Sequence, residues 1–209
     1  MILKIDFTSL SNDAINKAVS VLTNGGVVVY PTDTCYGIGV NAFNIHAVNK
    51  LYDIKGRDVT KPTHVVVRDW KMIEDLAYPN SLAKTLFDKF LPGPLTMILN
   101  KKPNVLDILT GGLSTLGVRI PNSHLTSKLS KLVDFPYTTP SANRTGEPSP
   151  YSFEEVMKVL DLNKVDLILD AGFLPHNPPS TIVDVTKMPY EMLREGPITN
   201  KQVKYILGL

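Results

Sequence analysis

The chain has 209 residues, of which 43% are hydrophobic and 20% are charged, so it can bury a sizeable core and form one domain. Its formal net charge is only +2, so any attraction for phosphate groups must come from cations gathered in one place. The single cysteine, Cys35, excludes an internal disulfide framework and a zinc site built from paired cysteines, which fits a reducing cytosol.

The first residues are not expected to form a targeting segment. Residues 1–6 mix alternating apolar and charged side chains, which is not typical of a signal or transit peptide. No apolar run in the sequence approaches the roughly 18 residues that a membrane-spanning helix needs. We therefore expect a cytoplasmic protein that has no membrane partner.

Short apolar strands and amphipathic helices alternate along the chain, and no low-complexity linker or fixed repeat separates them. Strands are predicted over residues 2–5, 27–30, 64–67, 95–99, 117–120, 136–139, 167–170, 181–185 and 192–194. Helices are predicted between Ser11 and Gly25, from Asn44 to Ile54, over 71–76, 81–90, 123–132 and 154–160, and after Thr199. Several strands are joined by connections too short for a helical crossover, so the sheet should be mixed. The pattern predicts an α/β fold with a single domain over residues 1–209.

Two local signals stand out within this pattern. The strand 27–30 leads directly into a segment rich in hydroxyls and glycines, residues 31–39, which is predicted to be a polar loop at a functional site. Ser152 is predicted to begin a helix with a capping box, because Glu155 follows three residues later and can bond back to the helix start.

Several familiar site chemistries do not fit the sequence. The glycine-rich run 111–117 lacks the lysine and hydroxyl pair of a phosphate-binding Walker A loop. Cys35 has no recognised nucleophile signature around it, and it is interpreted as a small residue that packs beneath the loop. The four histidines have no metal-ligand spacing, and Gly37 and Gly39 lack the third glycine of a dinucleotide-binding turn. We therefore expect no metal ligand among the protein side chains.

Polar side chains at strand and helix ends remain as candidates. Thr32 and Thr34 offer hydroxyls that either bind a ligand or simply cap a turn after Pro31. Lys55 and Arg57 lie on both sides of a glycine at a predicted helix end, where two cations can either reach one phosphate or remain solvated.

Arg119 lies within an apolar strand, where an unpaired cation would be costly to bury. We expect it to meet an anion, which is either a protein carboxylate or the carboxylate of a ligand. The segment 138–146 also follows a short strand and is dense in hydroxyl and amide groups, which either cap the next element or bind a nucleotide.

Taken together, these segments resemble the YrdC-like family of threonylcarbamoyl-AMP synthases. The resemblance covers nearly the whole chain, from about residue 10 to residue 206. It is carried by ordered blocks, namely Pro31-Thr32-Asp33-Thr34-Cys35-Tyr36-Gly37, Lys55-Gly56-Arg57, Pro140-Ser141-Ala142-Asn143, Gly146-Glu147-Pro148-Ser149, Ser180-Thr181-Ile182-Val183-Asp184 and Leu193-Arg194-Glu195-Gly196.

The resemblance implies a twisted, open mixed sheet with flanking helices and a basic concave face. It also implies an enzyme that converts L-threonine, bicarbonate and ATP, with Mg²⁺, to threonylcarbamoyl-AMP and pyrophosphate. The product would pass to a tRNA threonylcarbamoyl transferase complex, which forms N6-threonylcarbamoyladenosine. By the same resemblance, the catalytic and ATP-binding residues would be Lys55, Arg57, Thr115, Ser141, Asn143, Ser149 and Arg194. Threonine or its carbamoyl group would be held by Thr32, His64, Arg119, Thr139 and Ser180.

Two other functions remain open at this point. A basic concave face could bind tRNA or double-stranded RNA without any chemistry, and cations alone do not separate that function from an enzyme. The second is a maturation activity that uses carbamoyl phosphate, because related domains occur in hydrogenase maturation factors, but those proteins carry zinc-finger and acylphosphatase-like domains for which this chain has no room. Many family members continue into a second C-terminal domain, and we expect this chain to be the short form without one.

Overall fold

The computed structural model describes residues 1–6 and 9–209. In this part of the chain the α-helices are α1 (Asn12–Thr23), α2 (Ile45–Lys55), α3 (Trp70–Leu76), α4 (Ser81–Phe90), α5 (His124–Leu132), α6 (Phe153–Val159) and α7 (Asn200–Leu207). Short 3₁₀ helices cover Asp107–Thr110 and Leu162–Lys164. The strands are β1 (Ile2–Lys4), β2 (Val28–Pro31), β3 (Tyr36–Gly39), β4 (His64–Val66), β5 (Ala77–Tyr78), β6 (Leu95–Lys101), β7 (Thr115–Arg119), β8 (Tyr137–Thr138), β9 (Leu167–Asp170), β10 (Thr181–Asp184) and β11 (Glu191–Arg194).

The strands form two open sheets, which confirms the predicted mixed α/β class. One sheet has the order β1-β9-β2-β3, and the other has the order β11-β10-β6-β7-β4-β8 with β5 beside β6. Both contain parallel and antiparallel neighbours, since β2 is parallel to β9 and antiparallel to β3, while β4 is parallel to β7 and antiparallel to β8. Isolated bridges between Gly37 and Ser141 and between Asn41 and Tyr137 connect the two sheets along β3 and β8.

The helices begin where the capping residues predict. Ser11, Asn44 and Thr199 each accept a hydrogen bond from a backbone N–H in the first turn of α1, α2 and α7. The predicted capping box at Ser152 is only half present, because the Glu155 carboxylate accepts from the N–H of Tyr151, at 2.6 Å, instead of from that of Ser152. A complete box occurs at the start of α7 instead.

The segment 36–39, predicted as part of a polar loop, is instead the buried strand β3. Tyr36 and Ile38 place their side chains in the core. The alternate glycines face crowded neighbours, since a Cβ on Gly39 would lie 2.9 Å from the Tyr30 ring and one on Gly37 would lie 3.2 Å from the Thr139 hydroxyl. The loop is therefore restricted to residues 32–35, and the glycines serve close packing.

Two hydrophobic clusters cover the sheets. The larger one includes residues of β3, α2, β6 and β10, and the smaller one packs α1 and α5 against Val28, Tyr30 and Tyr137. No helix among the described residues is both long enough and apolar enough to cross a membrane.

Candidate active site

A cavity of about 260 Å³ lies where the strand ends of the two sheets meet. Its floor is formed by neighbouring strands, with His64 on β4 beside Gly117 on β7, and Ile182 on β10 beside Thr96 on β6. Side chains on one face of a strand recur at every second residue, so Arg119 lies on the same face as Gly117. The residues that line the cavity are Thr34, Cys35, Lys55, Arg57, Pro62, Thr63, His64, Arg119, Thr139, Pro140, Ser141, Ser149, Pro179, Ser180, Ile182 and Arg194.

Lys55 is the last residue of α2, and its ammonium is held by the loop that follows β8. Its side chain is only 2% exposed, and Nζ donates to the carbonyl oxygens of Ser141, at 2.5 Å, and Asn143, at 2.7 Å. Burial, with a smaller effect from Arg57, lowers the pKa of Lys55 to about 7. Its described partners are neutral carbonyl and amide oxygens, so the positive charge of the protonated form is not cancelled by a carboxylate and can meet an anion in the cavity.

Gly56 ends α2 in the left-handed conformation, with a φ of 53°. Its backbone N–H donates to the carbonyl oxygens of Asp53 and Tyr52, so the glycine caps the end of the helix. After this turn, Arg57 donates to the carbonyl oxygens of Lys61, at 3.3 Å, and Pro62, at 2.7 Å. Arg57 and Lys55 therefore face the same cavity from one helix end.

Arg119 forms a buried ion pair with Asp33. Its Nη2 atom lies 2.6 Å from Asp33 Oδ1, and the arginine side chain is only 4% exposed. The other carboxylate oxygen accepts from the backbone N–H of Asn122, at 3.0 Å. Nη1 of Arg119 is 3.4 Å from the Thr34 hydroxyl, which lines the cavity. The anion expected beside Arg119 is thus a protein carboxylate, and the third nitrogen, Nε, donates to the Gly93 carbonyl at 3.4 Å.

Arg194 and Ser180 form the opposite wall. Arg194 donates to the Ser180 carbonyl, at 2.9 Å, and to its hydroxyl, at 3.1 Å. The Ser180 hydroxyl also lies 3.0 Å from that of Thr96. This arrangement fixes the position of Ser180 and leaves Arg194 without a carboxylate partner in any contact that the structure describes.

Electrostatics hold His64 neutral and Cys35 protonated. Burial, followed by the charges of Arg119, Arg194, Arg57 and Lys55, lowers the pKa of His64 to about 3. Burial raises the pKa of the Cys35 thiol. Cys35 lines the wall of the cavity, whereas the sequence predicts that it packs beneath the loop. Its raised pKa disfavours the reactive thiolate.

Nine of the twelve residues assigned by the resemblance line this cavity, and three do not. The Thr32 hydroxyl is used within its own turn, since it accepts from the N–H groups of Thr34 and Cys35 and donates to the Cys35 carbonyl. Asn143 lies behind Lys55 and supports the loop, with its side-chain oxygen accepting from the Ser141 hydroxyl. Thr115 is at the far end of β7, roughly 13 Å along the strand from Arg119.

Some lining residues were not predicted. Pro62 and Thr63 carry no local signal, because their role depends on how the segment after α2 folds back over the cavity. Thr34 is different, because its hydroxyl directly after a predicted strand was sufficient to identify it as a candidate site residue. Among the described residues, no group of three or more histidine, cysteine, aspartate or glutamate side chains could hold a metal ion.

Several known proteins are similar to this chain in sequence and in structure. A family model for Sua5, YciO and YrdC proteins, described as "telomere recombination", matches residues 20–196. A putative threonylcarbamoyl-AMP synthase of Methanocaldococcus jannaschii is 45% identical over 177 residues, which cover 85% of this chain and 83% of the relative. The threonylcarbamoyl-AMP synthase of Bacillus subtilis is 38% identical over 205 residues, which cover 97% of this chain and 59% of the relative.

The crystal structure of Pyrococcus abyssi Sua5 complexed with L-threonine superposes on this chain with a TM-score of 0.94 at 32% identity. The match covers all of this chain and 61% of that protein. The chain therefore spans about three fifths of the length of the Bacillus and Pyrococcus proteins and most of the Methanocaldococcus protein. Since the family model covers most of the sequence and the relatives match nearly all of it, this chain belongs to the Sua5/YciO/YrdC family.

Proposed function

We propose that this chain is a threonylcarbamoyl-AMP synthase, which converts L-threonine, bicarbonate and ATP to threonylcarbamoyl-AMP and pyrophosphate. The observation that carries the proposal is the convergence of four cations from three separate segments on one cavity. The cations are Lys55, Arg57, Arg119 and Arg194. Membership in the family, and the similarity to a protein crystallised with L-threonine, indicate the substrates that these cations serve.

We assign the triphosphate to three cations of the cavity, namely Lys55 and Arg57 at the end of α2 and Arg194 on the opposite wall. All three side chains donate to neutral protein oxygens, so their charges are not cancelled by a carboxylate. Ser141 and Ser149, on the same side as Lys55, provide hydroxyls for the nucleotide. Negative charge grows on the equatorial and leaving oxygens during phosphoryl transfer, and fixed cations stabilise it.

Threonine is assigned to the side formed by Arg119, His64, Thr139 and Ser180. Arg119 can bind the threonine carboxylate through Nη1, whose described contact is a long one of 3.4 Å to the Thr34 hydroxyl, because Asp33 holds Nη2. The Ser180 hydroxyl, fixed by Thr96 and Arg194, can meet the threonine side-chain hydroxyl. A fixed partner of this kind rejects an analogue without the hydroxyl, because that analogue would leave a buried polar group unpaired.

The reaction that fits this geometry begins when the threonine amine adds to bicarbonate carbon and gives a carbamate. A carbamate oxygen then attacks the α-phosphorus of ATP, and pyrophosphate leaves. The carbamate is a poor nucleophile, so the main contribution of the protein is to hold both anions close and in line, which can lower the barrier by roughly 7–11 kcal/mol. No protein nucleophile is required for either step.

Magnesium would enter with ATP as part of the substrate. The described residues that line the cavity are cations, hydroxyls and neutral groups, so the protein side chains on this wall are poor ligands for Mg²⁺. The ion would therefore be coordinated by phosphate oxygens and water. The product would serve a tRNA threonylcarbamoyl transferase complex, as the resemblance implies.

Mass spectrometry of the reaction mixture tests the proposal. The purified chain should produce threonylcarbamoyl-AMP from ATP, Mg²⁺, bicarbonate and threonine, and omitting any of the four should abolish the product. Replacement of Arg57 with alanine should reduce the rate by about 100-fold, as for other preorganised charges. Replacement of Arg68, an exposed arginine outside the cavity, provides the matched control.

Failure to detect the adenylate under all conditions would contradict the proposal. If the chain instead bound tRNA or double-stranded RNA, with an affinity that falls steeply as salt is raised, the RNA-binding function would replace it.

A further inference from the structure

The cavity has four cationic side chains and, among the described residues that line it, no carboxylate. The nearest carboxylate in the site, that of Asp33, already accepts from Arg119 and from the N–H of Asn122. Free threonine carries an ammonium group, which therefore meets no anionic partner here. Building on the proposed function, we propose that threonine binds in this cavity with its amine neutral, having released the ammonium proton to solvent as it enters.

The charged groups that line the cavity disfavour a positive charge on a bound amine. Lys55, Arg57 and Arg194 have no carboxylate partner in the described contacts, so they repel a further positive charge in a cavity of only about 260 Å³, whereas the charge of Arg119 is offset by Asp33. Cys35 adds no negative charge, because burial raises the pKa of its thiol. The carboxylate of threonine offsets at most one of the three remaining charges.

The pKa values of two basic side chains that line the same cavity are lowered, as the proposal expects for the threonine amine. Burial and the four surrounding cations lower the pKa of His64 to about 3. Burial and Arg57 lower the pKa of Lys55 to about 7. A substrate amine placed among the same groups experiences the same desolvation and repulsion. Since His64 is neutral, one ring nitrogen can also accept a hydrogen bond from the amine without adding charge.

The neutral amine is the form that the chemistry needs, because an ammonium group has no lone pair. The amine nitrogen bonds to the bicarbonate carbon, and the bicarbonate hydroxyl leaves with one amine proton as water. Neutral amine and bicarbonate thus give carbamate and water, with charge conserved. The α-amino group of free threonine is almost entirely protonated at pH 7, so binding in the neutral form raises the fraction of amine that can react. The anionic carbamate is then stabilised by the same cations.

Titration calorimetry of threonine binding tests the inference without any turnover. Threonine is titrated into the full chain at pH 7, in PIPES and in Tris, which have different ionisation enthalpies. The difference in observed enthalpy gives the number of protons released on binding. The matched ligand is the 2,3-dihydroxybutanoate with the stereochemistry of threonine, in which a hydroxyl replaces the amine. This ligand reports any proton change in protein groups such as Lys55.

Threonine should release close to one proton more than the dihydroxy acid. Threonine that binds but releases no more protons than the dihydroxy acid would overturn the inference and leave the proposed function standing. Absence of threonine binding, together with absence of the adenylate in the mass-spectrometric assay, would reject the proposed function and the inference that rests on it.

Discussion

Asp33 and Arg119 form an ion pair with an N–O distance of 2.6 Å, in which the side chains are 14% and 4% exposed. The carboxylate also accepts from the N–H of Asn122, and the Asp33 carbonyl accepts from the side chain of Asn177. One aspartate thus connects the loop after β2, the end of β7 and the segment before β10. These are three walls of the candidate site.

Replacement of Asp33 with asparagine should destabilise the protein by about 3–5 kcal/mol, because it leaves the Arg119 charge buried and unpaired. Urea unfolding followed by circular dichroism measures this change. The exposed pair of Lys17 and Asp13 provides the control, and Lys17→Gln should cost no more than about 0.5 kcal/mol. Equal effects of the two substitutions would contradict the structural role of the buried pair.

Replacement of Arg119 with alanine should raise the KM for threonine about tenfold or more, while the KM for ATP changes little. The reason is that Arg119 is assigned to the threonine carboxylate, whereas the triphosphate is assigned to Lys55, Arg57 and Arg194. Steady-state kinetics of pyrophosphate release, with each substrate varied in turn, measure both constants. A similar increase in both would show that the assignment of Arg119 is wrong.

The lowered pKa of Lys55 predicts a pH dependence of stability. The pKa of Lys55 is about 7 in the folded protein and 10.5 for an unperturbed lysine, which represents the unfolded chain. Between these two pH values the folded protein therefore binds fewer protons than the unfolded chain. The free energy of unfolding should therefore rise with pH across this window, by at most about 1.4 kcal/mol per pH unit, and the cost of burying the charge is fully present below pH 7.

Comparison of wild type with Lys55→Met isolates this effect, because methionine is buried without charge. The advantage of the variant should shrink as pH rises from 7 toward 10 in urea unfolding experiments. Lys50, exposed on the same helix, is the control, and Lys50→Met should follow the wild-type curve at every pH. A constant difference between wild type and Lys55→Met would contradict the prediction.

Replacement of Gly117 with alanine should narrow the floor of the cavity. The added Cβ would lie 2.9 Å from the Cβ of His64 and 3.2 Å from Ile98 Cδ1, so His64 must move toward the cavity. Overpacking of this kind costs about 1–3 kcal/mol, and the threonine affinity should fall as well. Thermal unfolding and calorimetry measure the two effects, and unchanged values for both would refute the close contact.

The parts of the fold that were predicted correctly are those set by local chemistry. Ser11, Asn44 and Thr199 cap helices because their side chains satisfy free N–H groups within the same turn. Strand β3 was missed because its glycines suggest a loop, and only the close approach of Tyr30 explains them. The capping box predicted at Ser152 is incomplete for a similar reason, because the residue spacing does not determine that the Glu155 carboxylate accepts from the N–H of Tyr151.

The candidate site follows the same division. The ordered motifs were sufficient to identify nine residues that line one cavity. The motifs did not distinguish residues that face the cavity from residues that support it, since Thr32 and Asn143 direct their polar atoms into their own loops. Which atoms of a motif point toward a ligand depends on tertiary contacts such as that between Lys55 and the loop after β8.

The acceptors that hold Lys55 belong to the main chain at positions 141 and 143. A point mutation can delete a side chain but not a peptide carbonyl, so this anchor is insensitive to the identity of the residues that supply it. The route of the loop, set in part by the bridge between Gly37 and Ser141, is what evolution must preserve for the ammonium to stay in register. Substitutions at positions 141 and 143 should therefore leave the two carbonyl contacts with Lys55 in place as long as the path of the loop is kept, although they would remove the side-chain contact between Ser141 and Asn143.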